Sequence, residues 1–243
     1  MGSLRQAELA RLGARPFAHR GLHGPARPEN SRAAFEAAID AGFGMECDVQ
    51  ASRDGAAMVF HDDDLDRLTG TQGRVADLDA DTLAGLHLSG TSETIPRLTE
   101  MLASIAGRAP LLIEVKSPDR HVVPLCRAVA AALQGYRGPV GIMSFNPEAG
   151  AWFARHAPER LRGLVVAESG KKGLRGRVER RLSFRRAQAD FLAYDVRDLP
   201  SAFAAGKRAA GVPVFTWTVR TAADRARAAA GADQIIYEDF ASG

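Results

Sequence analysis

Several polar residues fall at the ends of short apolar runs, where chemistry is often placed. His19 and Arg20 close the first run, Glu46 and Asp48 lie in the second, and His61 closes a short return run. Glu114 and Lys116 end the third, Ser144 and Phe145 the fourth, and Trp217 lies in the seventh. Glu46 and Asp48 are two residues apart, so on a strand both side chains point to one face. Glu114 sits between the apolar Ile113 and Val115. Three inward carboxylates repel one another unless a cation neutralises them. Hard oxygen donors favour Mg²⁺, Ca²⁺ or Mn²⁺ over zinc. Alone, any one of these acids is equally suited to a strand edge or rim. Histidine's unperturbed pKa lies near neutral pH, so His19 and His61 suit a general acid and base, although a lone strand-end histidine is more often structural. Arg20 can grip two phosphate oxygens and Lys116 acts as a point charge. The alternative for both cations is a salt bridge to one of the carboxylates. Taken together, a metal, two imidazoles and two fixed cations suit a phosphoryl substrate.

The elements that position these residues alternate along the chain. Strands are predicted at Pro16–His19, Met45–Val49, Leu111–Val115, Val140–Met143, Gly163–Val166, Phe191–Tyr194, Pro213–Thr218 and Gln234–Tyr237. Helices are predicted at Ser31–Ala41, Leu98–Ala106, Val122–Gln134, Pro147–His156, Leu174–Ala187, Ser201–Ala210 and Ala222–Ala230. Ser31 is a capping residue, and Pro147 suits a first helical turn. Strand–helix alternation over 243 residues predicts an α/β fold, a closed (β/α)8 TIM barrel. In such barrels the reactive groups gather at the C-terminal ends of the strands.

Two places depart from the regular alternation. After the second strand, Ser52–Gly55 reads as a turn and Ala57–His61 as a return strand. Residues 62–96 then read as a small inserted subdomain above the barrel mouth, within a single catalytic barrel domain spanning residues 1–243. Only about six residues follow the last strand, so no eighth outer helix is expected there. The N-terminal stretch Leu4–Leu12 is a candidate to cover that gap or the barrel floor.

Composition supports an ordinary globular protein, with 46% hydrophobic and 25% charged residues. Cys47 and Cys126 lack zinc-type spacing and read as reduced core thiols. Residues 1–13 lack the apolar stretch of a signal peptide, and no run approaches a membrane span, so a cytoplasmic location is expected.

The motifs His19-Arg20-Gly21, Pro28-Glu29-Asn30-Ser31, Glu46-Cys47-Asp48, Asp54-Gly55 before Phe60-His61-Asp62, and Ile113-Glu114-Val115-Lys116 occur in this order. They resemble the glycerophosphodiester phosphodiesterase family, as do Leu65–Thr69, Ile95–Leu98, Ser144-Phe145 and Trp217–Val219. The resemblance implies metal-dependent hydrolysis of glycerophosphodiesters to glycerol 3-phosphate and an alcohol. By that resemblance His19 and His61 are the catalytic acid–base pair, and Glu46, Asp48 and Glu114 hold the divalent metal, Mg²⁺ or Ca²⁺. Arg20 binds the phosphate, and Lys116 contacts it or the metal-bound oxygens. Glu29 is a metal or support residue, and Asn30 fixes its loop. Trp217 either lines the pocket against glycerol or plugs the barrel top. The family's last strand usually ends in Thr-Asp before a further helix. Tyr237-Glu238-Asp239-Phe240 stands here, which leaves the eighth-strand contribution open, and Asp195 has no assigned role.

One segment stands apart from the motifs. Between Lys171 and Arg186 lie eight basic residues and one acid, Glu179, with Leu174, Val178 and Leu182 four apart. The spacing predicts an outer helix that packs its apolar stripe inward and turns basic faces outward. Those faces suit either plain solvation or weak association with anionic membranes. No aromatic platform supports nucleic-acid binding. The small-molecule phosphodiesterase reading competes with a lysophospholipase D-like lipid phosphodiesterase, a non-catalytic phosphoryl-ligand-binding barrel and a phosphoinositide-cleaving phospholipase C.

Overall fold

The computed structural model describes residues 2–117 and 121–238. Parallel strands β1 (Phe17–Ala18), β2 (Gly44–Ala51), β4 (Leu111–Val115), β5 (Val140–Ser144), β6 (Leu161–Val166), β7 (Phe191–Asp195), β8 (Val214–Val219) and β9 (Gln234–Tyr237) form a ring. The ring closes because β1 pairs with both β2 and β9. Strand β3 (Ala57–Val59) returns antiparallel against the end of β2, as the Asp54-Gly55 turn predicts. The fold is therefore the closed (β/α)8 barrel expected from the sequence.

Helices α2 (Arg32–Asp40), α5 (Leu98–Ile105), α6 (Val123–Ala132), α7 (Pro147–His156), α8 (Leu174–Ala187), α9 (Ala202–Ala209) and α10 (Ala222–Gly231) connect successive strands. Local chemistry sets several of their starts. Ser31 accepts from the Ala34 N–H, Asn146 from Glu148 with Pro147 in the first turn, and Thr221 forms a capping box with Asp224. Outward strand residues Met45, Cys47, Val49, Ile113 and Ile142 pack against Phe35, Leu98, Met101 and Val129 of the helix layer.

Helix α1 (Ser3–Leu12) resolves the choice left by the sequence. It closes the barrel floor. Leu9 and Leu12 are buried with the interior residues Phe17, Leu112, Phe191 and Phe215. Arg5 pins the helix through Asp190, at 2.6 Å from Nε to Oδ1, and through the Arg160 carbonyl at 2.8 Å. Leu12 has no solvent exposure. Leu12→Ala is expected to cost about 2–5 kcal/mol, as for other buried leucines. Urea unfolding checks this, and a loss within about 0.5 kcal/mol, typical of surface changes, would contradict a packed floor.

Residues 62–96 carry the short helices α3 (Asp66–Thr69) and α4 (Ala80–Ala84) and a 3₁₀ turn at Val75–Asp77. They bury their own apolar cluster of Leu65, Val75, Leu83, Leu88 and Ile95 against Met58 of β3 and the following Phe60. The six leucines scattered through this stretch pack there and at its edge. The positions after the last strand, Asp239 and Phe240 among them, lie outside the described residues.

Helix α8 corrects one expectation. Its stripe of Leu174, Val178 and Leu182 faces solvent, while Gly176, Arg180 and Ala187 are buried. Close approach explains the rotation. A Cβ on Gly150 of α7 would lie 2.7 Å from the Ala187 carbonyl oxygen, and one on Gly176 would lie 1.8 Å from that of Lys171. The face of α8 that bears Gly176, Arg180 and Ala187 packs inward, and the leucine stripe on the opposite face turns out.

Candidate active site

The pleat explains how the site is assembled. Phe17, Leu112, Met143, Ala193, Phe215 and Ile236 point into the barrel and form its interior cluster. Two residues further along, the same inward face presents His19, Glu114, Phe145, Asp195, Trp217 and Glu238 at the mouth. Glu46 and Asp48 occupy this face on β2, and register sets Asp48 beside Glu114. A cavity of about 330 Å³ opens there, lined by His19, Arg20, Glu46, Asp48, His61, Glu114, Lys116 and Trp217 among others. All the sequence-derived site residues thus meet in one place.

Glu46, Asp48 and Glu114 are buried, and each offers a carboxylate oxygen within 4.8 Å of the others. Burial first, then repulsion from Asp48 and Glu114, pushes the Glu46 carboxyl well above its ordinary range. Burial also raises Glu114, against the pull of Lys116. Burial would raise Asp48 too, but Lys116 and Arg20 outweigh it and hold Asp48 low. The cluster thus holds more acid than its two cations compensate. An oxygen-only donor set with surplus negative charge fits a hard divalent ion.

Lys116 Nζ lies 3.0 Å from Asp48 Oδ1 and 2.8 Å from Glu114 Oε1. Arg20 Nη1 donates to Glu29 Oε1 at 2.7 Å, and its Nε lies 3.3 Å from Asp48 Oδ2 without hydrogen-bond geometry. Both cations are therefore ion-paired while also lining the cavity. Arg20 and Asn30 have φ of 56° and 57°, in the left-handed region that costs non-glycine residues about 1–3 kcal/mol. The turn aims the Arg20 N–H at Glu46 Oε2, at 3.1 Å. Asn30 Nδ2 donates to Asp48 Oδ2 at 3.1 Å and so fixes a carboxylate as well as its loop. Glu29 stands behind Arg20, where it also accepts from Arg67 at 2.7 and 2.9 Å. It supports the arginine and is not part of the acidic cluster.

Each histidine has a carboxylate on Nδ1. His61 pairs with Asp62 Oδ1 at 2.6 Å, and Asp62 also accepts from Arg67. His19 makes a short contact to Glu238 Oε1, while its Nε2 lies 3.9 Å from Glu46 Oε2. Glu238 is tied by its other oxygen to Arg220 Nε at 2.6 Å. Burial lowers the His61 pKa, against Asp48, so a neutral imidazole is favoured. Trp217 does what both alternatives required. It packs on the interior cluster and lines the cavity, with Nε1 donating to the Ala193 carbonyl at 2.9 Å. Phe145 meets it edge-on at 5.6 Å.

Sequence reasoning missed Glu238, Arg220 and Arg197, and left Asp195 open. Asp195 lines the cavity, caps the Val196–Asp198 turn and pairs with Arg197. The available signal was parity: Glu238 follows the inward Ile236 by two, as His19 follows Phe17. Burial opposes ionisation of Glu238, but His19 and Arg220 outweigh it and hold its pKa at about 2, below the ordinary carboxylate value. The stabilisation this gives is complete above the unfolded value and is lost as pH falls through about 2. Glu238→Gln is therefore expected to melt lower than wild type at neutral pH, with the gap closing on acidification from about pH 4.5 downward. Thermal melts across pH check this; a gap that stays constant would contradict it.

Closed barrel, clustered acids, imidazoles and fixed cations together are the features of a phosphodiester hydrolase that uses a divalent metal. The chain belongs to the glycerophosphoryl diester phosphodiesterase family, whose model matches residues 19–241. It is 32% identical over 236 residues to a glycerophosphodiester phosphodiesterase of Caldanaerobacter subterraneus subsp. tengcongensis, covering 92% of this chain and 93% of that one. Some matches are partial: those to Bacillus subtilis YqiK (32% identity) and to a Bacillus altitudinis glycerophosphodiester phosphodiesterase (37%) span 63% and 41% of this chain and 66% and 43% of the relatives. Among solved structures, an Oleispira antarctica phosphodiesterase in complex with the product sn-glycerol-3-phosphate superposes with a TM-score of 0.80, at 25% identity and 91% coverage of both chains. No helix among the described residues is long and apolar enough to cross a membrane.

Proposed function

We propose that this protein hydrolyses small glycerophosphodiesters to glycerol 3-phosphate and an alcohol. The observation that carries the reading is the acidic cluster of Glu46, Asp48 and Glu114 beside His19 and His61 in one cavity. Family membership and the product held by the Oleispira relative support the substrate class.

Glu46, Asp48 and Glu114 would hold the divalent ion, Mg²⁺ or Ca²⁺, which when bound would supply neutralisation of phosphoryl charge alongside Arg20 and Lys116. The phosphate lies against these cations, and the glycerol moiety against Trp217 and Phe145. His19 and His61 form the acid–base pair. One imidazole takes the proton of the attacking oxygen. The other gives a proton to the departing alcohol oxygen as its bond to phosphorus breaks. Glu238 and Asp62 occupy the Nδ1 atoms and leave each Nε2 free for this exchange.

Residues 1–243 act as one catalytic unit, with 62–96 as an insert. Two buried free thiols accord with a cytoplasmic location.

Release of glycerol 3-phosphate from glycerophosphocholine, with and without chelator, tests the activity. Glu238→Gln is expected to lower kcat by about 10–100-fold, as loss of an outer-shell orienting partner does. KM stays within a small factor. A kcat equal to wild type would remove Glu238 from the account.

A further inference from the structure

We infer that the outward face of α8 is a docking surface for anionic phospholipid bilayers. The inference stands on the exposed face of the helix and does not rest on the catalytic reading.

Leu174, Val178 and Leu182 are 72%, 45% and 59% exposed. Their spacing of four places them on one stripe, opposite the buried line of Gly176, Arg180 and Ala187. They are three of the six exposed large hydrophobic side chains among the described residues. Such residues scattered singly need no explanation, but three aligned on one face do.

Basic residues border the stripe on both sides. Arg177, Arg181 and Arg185 lie along it at helical spacing, and none makes an ion pair with an acidic side chain among the described residues. Arg175, on the other side of the stripe, likewise makes no ion pair with an acidic side chain among the described residues, whereas Lys171 pairs with Glu179, Lys172 with Asp198 and Arg186 with Glu148. Arg180 is buried, with Glu168 at 3.0 Å. Lys207 of α9 adds to the surplus. It sits 3.6 Å above the Phe184 ring, and burial first, then the nearby Arg185 and Arg181, lowers its pKa.

The pattern matches a helix that lies in a membrane interface. Apolar side chains enter the acyl boundary while flanking arginines stay at headgroup level. An apolar protein partner would satisfy the stripe but not the unpaired arginines. Anionic headgroups satisfy both.

Flotation of the full chain with vesicles tests the inference. The vesicles are phosphatidylcholine alone or phosphatidylcholine mixed with phosphatidylglycerol, at low and at high salt. Binding is expected only to the mixed vesicles and only at low salt. Replacing Arg177, Arg181 and Arg185 together by Ser is expected to weaken partitioning about 100-fold, at roughly five-fold per cation near an anionic surface. Leu174→Ser, Val178→Ser and Leu182→Ser combined is expected to weaken it by at least about ten-fold. Both triple variants should retain wild-type melting and wild-type hydrolysis of soluble substrate.

No binding to mixed vesicles, or equal binding to neutral ones, would overturn the inference. So would a dimer in solution that the leucine variant dissolves, because a second copy would then cover the stripe. Loss of hydrolysis with vesicle binding intact would instead count against the catalytic proposal alone.

Discussion

Glu46→Gln is expected to do two opposite things: stabilise the metal-free protein and remove its response to metal. In the free site, Glu46 is fully buried beside Asp48 and Glu114, and burial with their repulsion raises its carboxyl pKa. An acid whose folded pKa lies above its unfolded value weakens folding increasingly as pH rises between the two. Gln keeps the shape without the charge. In chelator, the variant should therefore melt higher than wild type. The gap should widen as pH rises above the ordinary carboxylate range, as the wild-type carboxyl is driven to ionise. For wild type, metal at about a hundred times its Kd adds roughly 2.7 kcal/mol. The variant should lose most of that gain, and its turnover should fall by more than the about 10–100-fold typical of outer-shell changes. Calorimetric melts with and without Mg²⁺ or Ca²⁺ check each part. A variant that melts lower than wild type in chelator would show that the cluster is not held under repulsion.

His61→Ala should lower kcat by about 10²–10⁴-fold with little change in KM, the range for loss of a positioned acid or base. Its Nδ1 is taken by Asp62, which orients the ring, and Gln50 fixes its backbone carbonyl. Burial keeps it neutral and able to accept a proton. His19→Ala should fall in the same range. The double variant should be little worse than the weaker single, because an acid and a base that serve one displacement act as a unit. Steady-state kinetics on all three variants decide it. Losses that multiply would mean that the two rings serve separate steps.

Much of this site was legible in the sequence because barrel strands announce themselves twice. Their apolar runs mark the interior, and a polar residue at the run's end marks the mouth. The Glu46–Asp48 spacing needs no structure to place both acids on one face. The Asp54-Gly55 turn gave β3, and Ser31 and Pro147 marked the starts of α2 and α7 within a residue. What stayed hidden depends on contacts distant in sequence. The pairing of Glu238 with His19 spans 219 positions, and no local pattern links them. Helix α8 shows the converse failure. Its leucine spacing is regular, but rotation is set by the close approach of Gly150 to Ala187, which is a tertiary fact. Helix α1 found the barrel floor by the same kind of contact, through Leu12 and the Arg5–Asp190 pair.

The most direct test of the central proposal measures glycerol 3-phosphate release from glycerophosphocholine and glycerophosphoethanolamine. Wild type and His19→Ala are compared in chelator and after Mg²⁺ or Ca²⁺ is restored. The proposal predicts release by wild type only with metal, and its near-abolition in His19→Ala under every condition. Release that persists in chelator, or survives the loss of His19, would contradict it.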